Sequence, residues 1–307
     1  MMPGGEMTRV GESVAALPWR VRLEALGGLE PDAILGSLAA HTVPGAEQTD
    51  LGARTHSRLV SSRFGPQRVL LHFDEGGIDL TIENHLEAMA PSLTDHDELA
   101  ALSATIRAWF DLDTDLEPIR RVLDADPMLT PLVASRPNLR VIGTPDPFQS
   151  AVTTVLGQQV SLPAGRTFAG RLVAAYGEPV QSGLRRFPEA KVLAEACAEE
   201  LRAAVGLTSA RAATVLSLAQ AWLVSNDGLG MPTREALLAV PGIGQWTVDY
   251  LAVRFGDRDA FTPGDLVLRR ALGGVTAKQA TVRAEAWRPY RAYALMHLWT
   301  HTAYTRL

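Results

Sequence analysis

The sequence lacks the features that would place it in several large classes. It has one cysteine, Cys197, so neither an internal disulfide nor a four-cysteine metal or iron–sulfur site can form. A reducing compartment is the natural setting for such a chain. No window approaches the ~18 or more consecutive apolar residues of a membrane span. The opening stretch, MMPGGEMTRVGESVAALPW, has no basic segment followed by an apolar core, so no secretory signal is read there. A cytoplasmic protein with no membrane partner is expected. No repeat period and no low-complexity tract is found, although residues 1–13 read as a disordered tail.

An excess of basic charge is missing as well. The net charge of −5 argues mildly against nucleic acid when taken over the whole chain. Its distribution tells more. Residues 233–307 hold ten Lys/Arg against six Asp/Glu, a local charge of +4 that leaves −9 for the remainder. A locally basic region can face phosphates, although a solvated surface is the simpler account on charge alone. What the chain does have is length, 307 residues, and a composition 47% apolar. Both allow a sizeable core in two domains or one large one.

The first third reads as mixed. WRVRLEAL (19–26) has the pattern of a strand and PDAILGSLAAH (31–41) that of a helix. HSRLVSSRF, QRVLLHFD and IDLTIE are short β-rich runs parted by GP and EGG turns. TDHDELAALSATIRAWFDL (94–112) predicts a helix with Thr94 or Asp95 as its cap. From about Leu116 helical patterns follow one another with short Pro- and Gly-marked breaks, and strand signals nearly vanish. The expected fold is therefore α+β: a small N-terminal antiparallel sheet with helices over 1–115, then a mostly helical domain over 116–307.

TREALLAVPGIGQWTVDYLAV reads helix, tight turn, helix, with Thr233 able to cap the first helix. Gly242 and Gly244 allow backbone angles that side chains forbid. The free N–H groups of the second helix, starting near Gln245, point at the turn, and such an arrangement binds phosphate without basic side chains. The bland alternative is a plain helix–helix corner. Asp265, in TPGDLVLRRA, is placed to cap the next helix. Trp246 and Tyr250 are four apart, the spacing of two core residues on one helical face.

With these stretches in view, LLAVPGIGQWTVDYLAVRFGDRDAFTPGDLVLRRAL resembles the helix-hairpin-helix (HhH-GPD) superfamily of base-excision DNA glycosylases. It is most like the alkylpurine, or 3-methyladenine II, AlkA-like branch. DPFQSAVTTVLGQQVSLPAGRTFAGRLVAAYG and EAWRPYRAYALMHLW match other parts of that pattern in the same order. The resemblance is strong over about 110–307 and weaker, though compatible, over 15–110. It implies a hairpin at about 233–253 that binds the DNA backbone through Gly242, Ile243, Gly244, Gln245 and Thr247. It implies Asp265 as the catalytic carboxylate, stabilising an oxocarbenium-like sugar and orienting or activating water. It places Trp246, Tyr250 and Trp299 around a pocket for a flipped-out base, where aromatic faces attract a cationic N-alkylated purine. Strand-cutting superfamily members carry a lysine at the place of Trp246, so the implied enzyme removes a base and leaves the strand whole.

The turn LGQQVS (156–161) is where the family inserts a wedge, which gives Gln158 and Gln159 as contacts to the orphaned base. A relative has leucine at the place of Gln159, so a polar plug stands here in place of an apolar wedge; Gln158 reads equally as a helix cap. Gly264 replaces an acidic residue of that relative, and Ser37 stands loosely where it has an aromatic one. Both departures imply a wider pocket. His297 reads as a satisfied core group, and Asp249, Asp257 and Asp259 as surface charges. Arg269 and Arg270 read equally as phosphate contacts or surface charges. The resemblance implies double-stranded DNA with alkylated bases as partner, action as a monomer, no required cofactor and no metal ligands among the side chains, with room for a monovalent cation at the hairpin carbonyls. Two other readings stay open: a non-catalytic DNA-binding module, and a glycosylase for another damaged purine.

Overall fold

The structure is a computed structural model that describes residues 18–63, 65–83, 94–180, 183–225 and 230–304. The tail expected over 1–13, and the side-chain cap expected at Thr94 or Asp95, lie outside what it describes. Strands β1 (Trp19–Glu24), β2 (Glu47–Asp50), β3 (Thr55–Val60), β4 (Gln67–Asp74) and β5 (Gly77–Glu83) form an antiparallel sheet in the order β1-β5-β4-β3-β2. Its register sets apolar partners opposite one another: Val69 with Ile82, Leu71 with Leu80, Phe73 with Ile78. These six side chains are buried, and each contributes about 1.5–3 kcal/mol by leaving water. Helix α1 (Pro31–His41) starts on a proline suited to a first helical turn and buries Ile34, Leu35 and Leu38. Helix α2 is Thr94–Trp109.

The expected helical series follows: α3 (Glu117–Leu123), α4 (Thr130–Ser135), α5 (Pro147–Gly157), α6 (Leu162–Tyr176), α7 (Ala190–Ala194), α8 (Ala198–Val205), α9 (Ser209–Val224), α10 (Arg234–Ala239), α11 (Gln245–Arg254), α12 (Leu266–Ala271), α13 (Ala277–Ala284) and α14 (Arg291–Trp299). The last runs into a π-turn over Thr300–Tyr304. A two-residue strand pair, β6 (Glu178–Pro179) with β7 (Arg185–Arg186), interrupts the helical series between α6 and α7. The starts are set by local chemistry. Asp146, Ser161, Thr208, Thr233, Asp265 and Thr276 each accept a backbone N–H at the head of their helix, satisfying a donor that the helix cannot. Among the described residues no helix is long and apolar enough to cross a membrane.

The apolar core does not divide where the chain changes character near residue 116. One cluster joins the sheet and α1 to Trp109, Phe110, Leu112, Leu116 and Ile119, and continues into Phe261, Leu268, Trp287, Tyr293 and Trp299. The second is built mainly from α5 to α11, with Phe148, Val155, Leu172, Leu218, Ile243 and Leu251 among its members, and takes Val43 and Ala46 from the turn after α1. The chain thus leaves the first core, builds the second, and returns to the first. Tyr250 packs against both, so α11 lies along the seam between them.

Candidate active site

The hairpin before α11 is set by one glycine more than by the other. Gly242 has φ +90, and a Cβ there would run into Thr214 Oγ1, so only glycine fits without rearrangement. Gly244 differs from the expectation: its φ is −107, which any residue adopts, and open space surrounds its Cβ position. Glycine there keeps the outer side of the turn clear. Ile243 is buried and anchors the turn in the second core, while Gly242, Gly244 and Gln245 are exposed. No side chain caps α11, so its leading N–H groups face outward unmet by protein side chains. Thr247 is only 2% exposed and belongs to the interior of the hairpin. Asp249 is also not the expected surface charge. Buried to 9% exposure, it accepts from Arg234 Nη2 at 2.6 Å and Gln245 Nε2 at 2.8 Å, tying α10 to α11. Asp259 is held by Arg288 and Arg291, whereas Asp257 is exposed as expected.

Asp265 sits at the head of α12. Its Oδ1 accepts the Leu268 N–H at 2.8 Å and the Trp299 indole N–H at 3.0 Å; its Oδ2 accepts, at a long 3.4 Å, from the Trp246 indole. The carboxylate is therefore fixed by a backbone dipole and two aromatic rings, yet remains partly exposed. Trp246 and Tyr250 stack with centroids 5.5 Å apart, and Tyr250 meets Trp299 at 5.8 Å. All four residues line one cleft of about 270 Å³, near the lower end of the range for small-ligand sites. Gly264 lies beside it, with a Cβ position 3.8 Å from the Trp246 ring. Ser37 is buried and lines the same cleft.

Gln158 and Gln159 adjoin this site in different ways. The Gln158 amide donates to Gly242 O at 3.2 Å and Thr247 Oγ1 at 3.0 Å. Gln159 is exposed with a left-handed φ of +56. Arg269 is committed to the Val275 carbonyl at 2.8 Å, while Arg270 is exposed. His297 is in the core with its pKa pushed down to about 4, first by burial and then by Arg136. It is not fully satisfied, because its Nδ1 finds no hydrogen-bond partner.

Sequence reasoning missed the floor of the cleft. Arg58 donates to Glu47 Oε1 at 3.0 Å and Gln149 Oε1 at 2.8 Å, and Gln149 Nε2 donates to Glu47 Oε1 at 2.6 Å. Glu47 also accepts the Val43 N–H at 3.1 Å. Arg58 lies 5.4 Å over the Trp109 ring, whose edge meets His56. Burial holds His41 and His56 down at about 4. His41, Glu47, Arg58, Trp109 and Gln149 all line the cleft. No motif joins these residues, since they come from five elements and meet only in the fold. Among the described residues no group of His, Cys, Asp and Glu is placed to hold a metal ion.

The AlkA N-terminal domain model matches residues 20–146, and the model of the HhH-GPD superfamily of base excision DNA repair proteins matches 152–290. A Mycobacterium tuberculosis protein described as a probable bifunctional transcriptional activator/DNA repair enzyme is 39% identical over 280 residues, 88% of this chain and 54% of the relative. The chain thus spans about half the length of that relative. The Escherichia coli DNA-3-methyladenine glycosylase 2 is 29% identical over 274 residues, 87% of this chain and 92% of the relative. Among solved structures, a 3-methyladenine DNA-glycosylase from Archaeoglobus fulgidus shares the fold with TM-score 0.75 at 19% identity, covering 94% of this chain and 99% of that one. Residues 20–146 match the AlkA N-terminal domain, and residues 152–290 match the HhH-GPD superfamily of base excision DNA repair proteins, the two together spanning most of the chain.

Proposed function

We propose that the chain is a monofunctional DNA glycosylase that hydrolyses the N-glycosidic bond of alkylated purines, such as 3-methyladenine and 7-methylguanine, flipped out of duplex DNA. The observation that carries this reading is the carboxylate Asp265, gripped by Leu268 N–H and the Trp299 indole, in a cleft it lines with Trp246 and Tyr250. In the reaction the C1′–N bond breaks and the base departs with its electron pair. Asp265 stabilises the positive charge left on the sugar, and water adds to C1′, losing its proton to that carboxylate or to solvent. A cationic base lies well against aromatic faces and leaves readily, so few hydrogen bonds to it are needed. Trp246 has no nucleophilic nitrogen with which to form a Schiff base, which supports base removal without strand cleavage.

The hairpin supplies the grip on the DNA backbone through the open N–H groups at the head of α11. Its carbonyls fit a monovalent cation in part: Val240 O accepts from Ile243 N–H and Gly242 O from Gln158, which leaves each a second lone pair. Such a cation would supply positive charge beside a phosphate. The proposal is tested by incubating purified protein with methylated duplex DNA. Free 3-methyladenine should appear, with strands breaking only after alkali or heat. Duplex binding with no base release would support a binding module instead, and strand breaks without alkali would overturn the monofunctional assignment.

A further inference from the structure

The turn after α5 and the hairpin before α11 are far apart in the chain and joined in the fold. The Gln158 amide reaches across 84 residues to donate to Gly242 O at 3.2 Å, and also to Thr247 Oγ1 at 3.0 Å. Its orientation is settled by the acceptor, since a carbonyl oxygen cannot donate and the amide nitrogen must face it. Helix α9 completes the joint. Arg211 donates to the Gln158 main-chain carbonyl. One turn along the same helical face, Thr214 packs against Gly242 so closely that no Cβ fits between them. Thr247, at 2% exposure, keeps its hydroxyl away from solvent, so water does not compete for the Gln158 amide there. Next in the chain stands Gln159, exposed and in a left-handed conformation at φ +56. A side chain at the tip of the turn is thus mounted on a residue that is pinned to the hairpin.

We infer that Gln158 is a positioning residue: it couples the tip at Gln159 to the phosphate-gripping hairpin, so that holding the backbone sets how far the turn enters the base stack. The inference rests on the DNA-binding part of the proposed function, together with the entry into the base stack that the resemblance implies for the turn over 156–161, and not on the chemistry. Without the bridge the hairpin keeps its own N–H groups, while the turn over 157–161 loses its fixed relation to them. Backbone affinity and base unstacking should then separate, which a merely structural role would not produce.

The test is made in an Asp265→Asn background, where base release does not enter. A duplex carrying an abasic-site analogue opposite 2-aminopurine reports unstacking by fluorescence, and anisotropy on undamaged duplex reports affinity. Replacing Gln158 by alanine should lower the equilibrium for unstacking by about tenfold, the equivalent of a lost hydrogen-bonded bridge, with a much smaller fall in affinity. Thr247→Val keeps the buried volume and removes one acceptor, so it should show the same split at smaller size. Unstacking that persists in both variants, or that falls in proportion to affinity, overturns the inference alone. A parent protein that binds no duplex overturns the DNA reading and the inference with it.

Discussion

Trp109 and Trp246 line the same cleft, and among the described residues only the first has a cation on its face. Arg58 lies over Trp109, held there by Glu47 and Gln149 in a ring of short hydrogen bonds. Among the described residues guanidinium groups stack on Trp109 and Phe168, and none on the trio of Trp246, Tyr250 and Trp299. At the floor, each charge has its partner and both members of the ion pair are nearly sealed from water. At the wall, Asp265 has donors but, among the described residues, no cationic partner, and it lines the cleft. Aromatic rings and a carboxylate thus serve two ends: one completed within the protein, the other, on the proposed function, open to a cationic base. Pairing and exposure make the difference, since the residue types are nearly the same.

The comparison can be broken first at the floor. Arg58→Met leaves the Glu47 carboxylate buried without its cation, and losing one partner of a buried pair costs about 3–5 kcal/mol. A marked drop in the denaturant midpoint is expected; an unchanged midpoint would mean that the floor is not the closed network described. A smaller effect comes from pH. His56 in the folded chain titrates near 4 against 6.5 ordinarily, because burial disfavours its charged form. Its stabilising contribution is therefore whole above 6.5 and is lost as pH falls toward 4. At pH 5 the loss is about 2 kcal/mol for one such histidine, and His56→Phe, which cannot titrate, should lose less than the parent between pH 7 and 5. The smallest effects belong to the wall. Trp299→Phe removes the 3.0 Å indole bond to Asp265 and Trp246→Phe the 3.4 Å one, each keeping an aromatic ring. Single-turnover base release should fall more in the first, by about five- to tenfold, and equal effects would deny the two bonds their different weights.

The wall was legible in the sequence and the floor was not. The hairpin and Asp265 announce themselves through local rules, a glycine at positive φ and a cap before an apolar helix, and their spacing is short. Strand β4 shows in the alternation of Val69, Leu71 and Phe73. By contrast β2, EQTD, has no apolar alternation and becomes a strand only by pairing with β3. Glu47, Arg58 and Gln149 carry no common motif, and their meeting depends on how the sheet seats against α5. Helix α13 is too polar to stand out by periodicity, yet its Thr276–Gln279 capping box was a readable start signal. Gln158 was seen as a residue of the wedge turn; its tie to the hairpin 84 residues away required the fold.

The central claim is that Asp265 does the chemistry in a cleft whose aromatic wall awaits a charged base. The most direct measurement is single-turnover release of 3-methyladenine from methylated duplex by the Asp265→Asn variant, alongside its affinity for the same DNA. Asparagine can still cap α12 but carries no charge to set against the sugar cation. The account predicts release lowered by about a hundredfold or more with binding retained, and a variant that releases the base at the parent rate would contradict it.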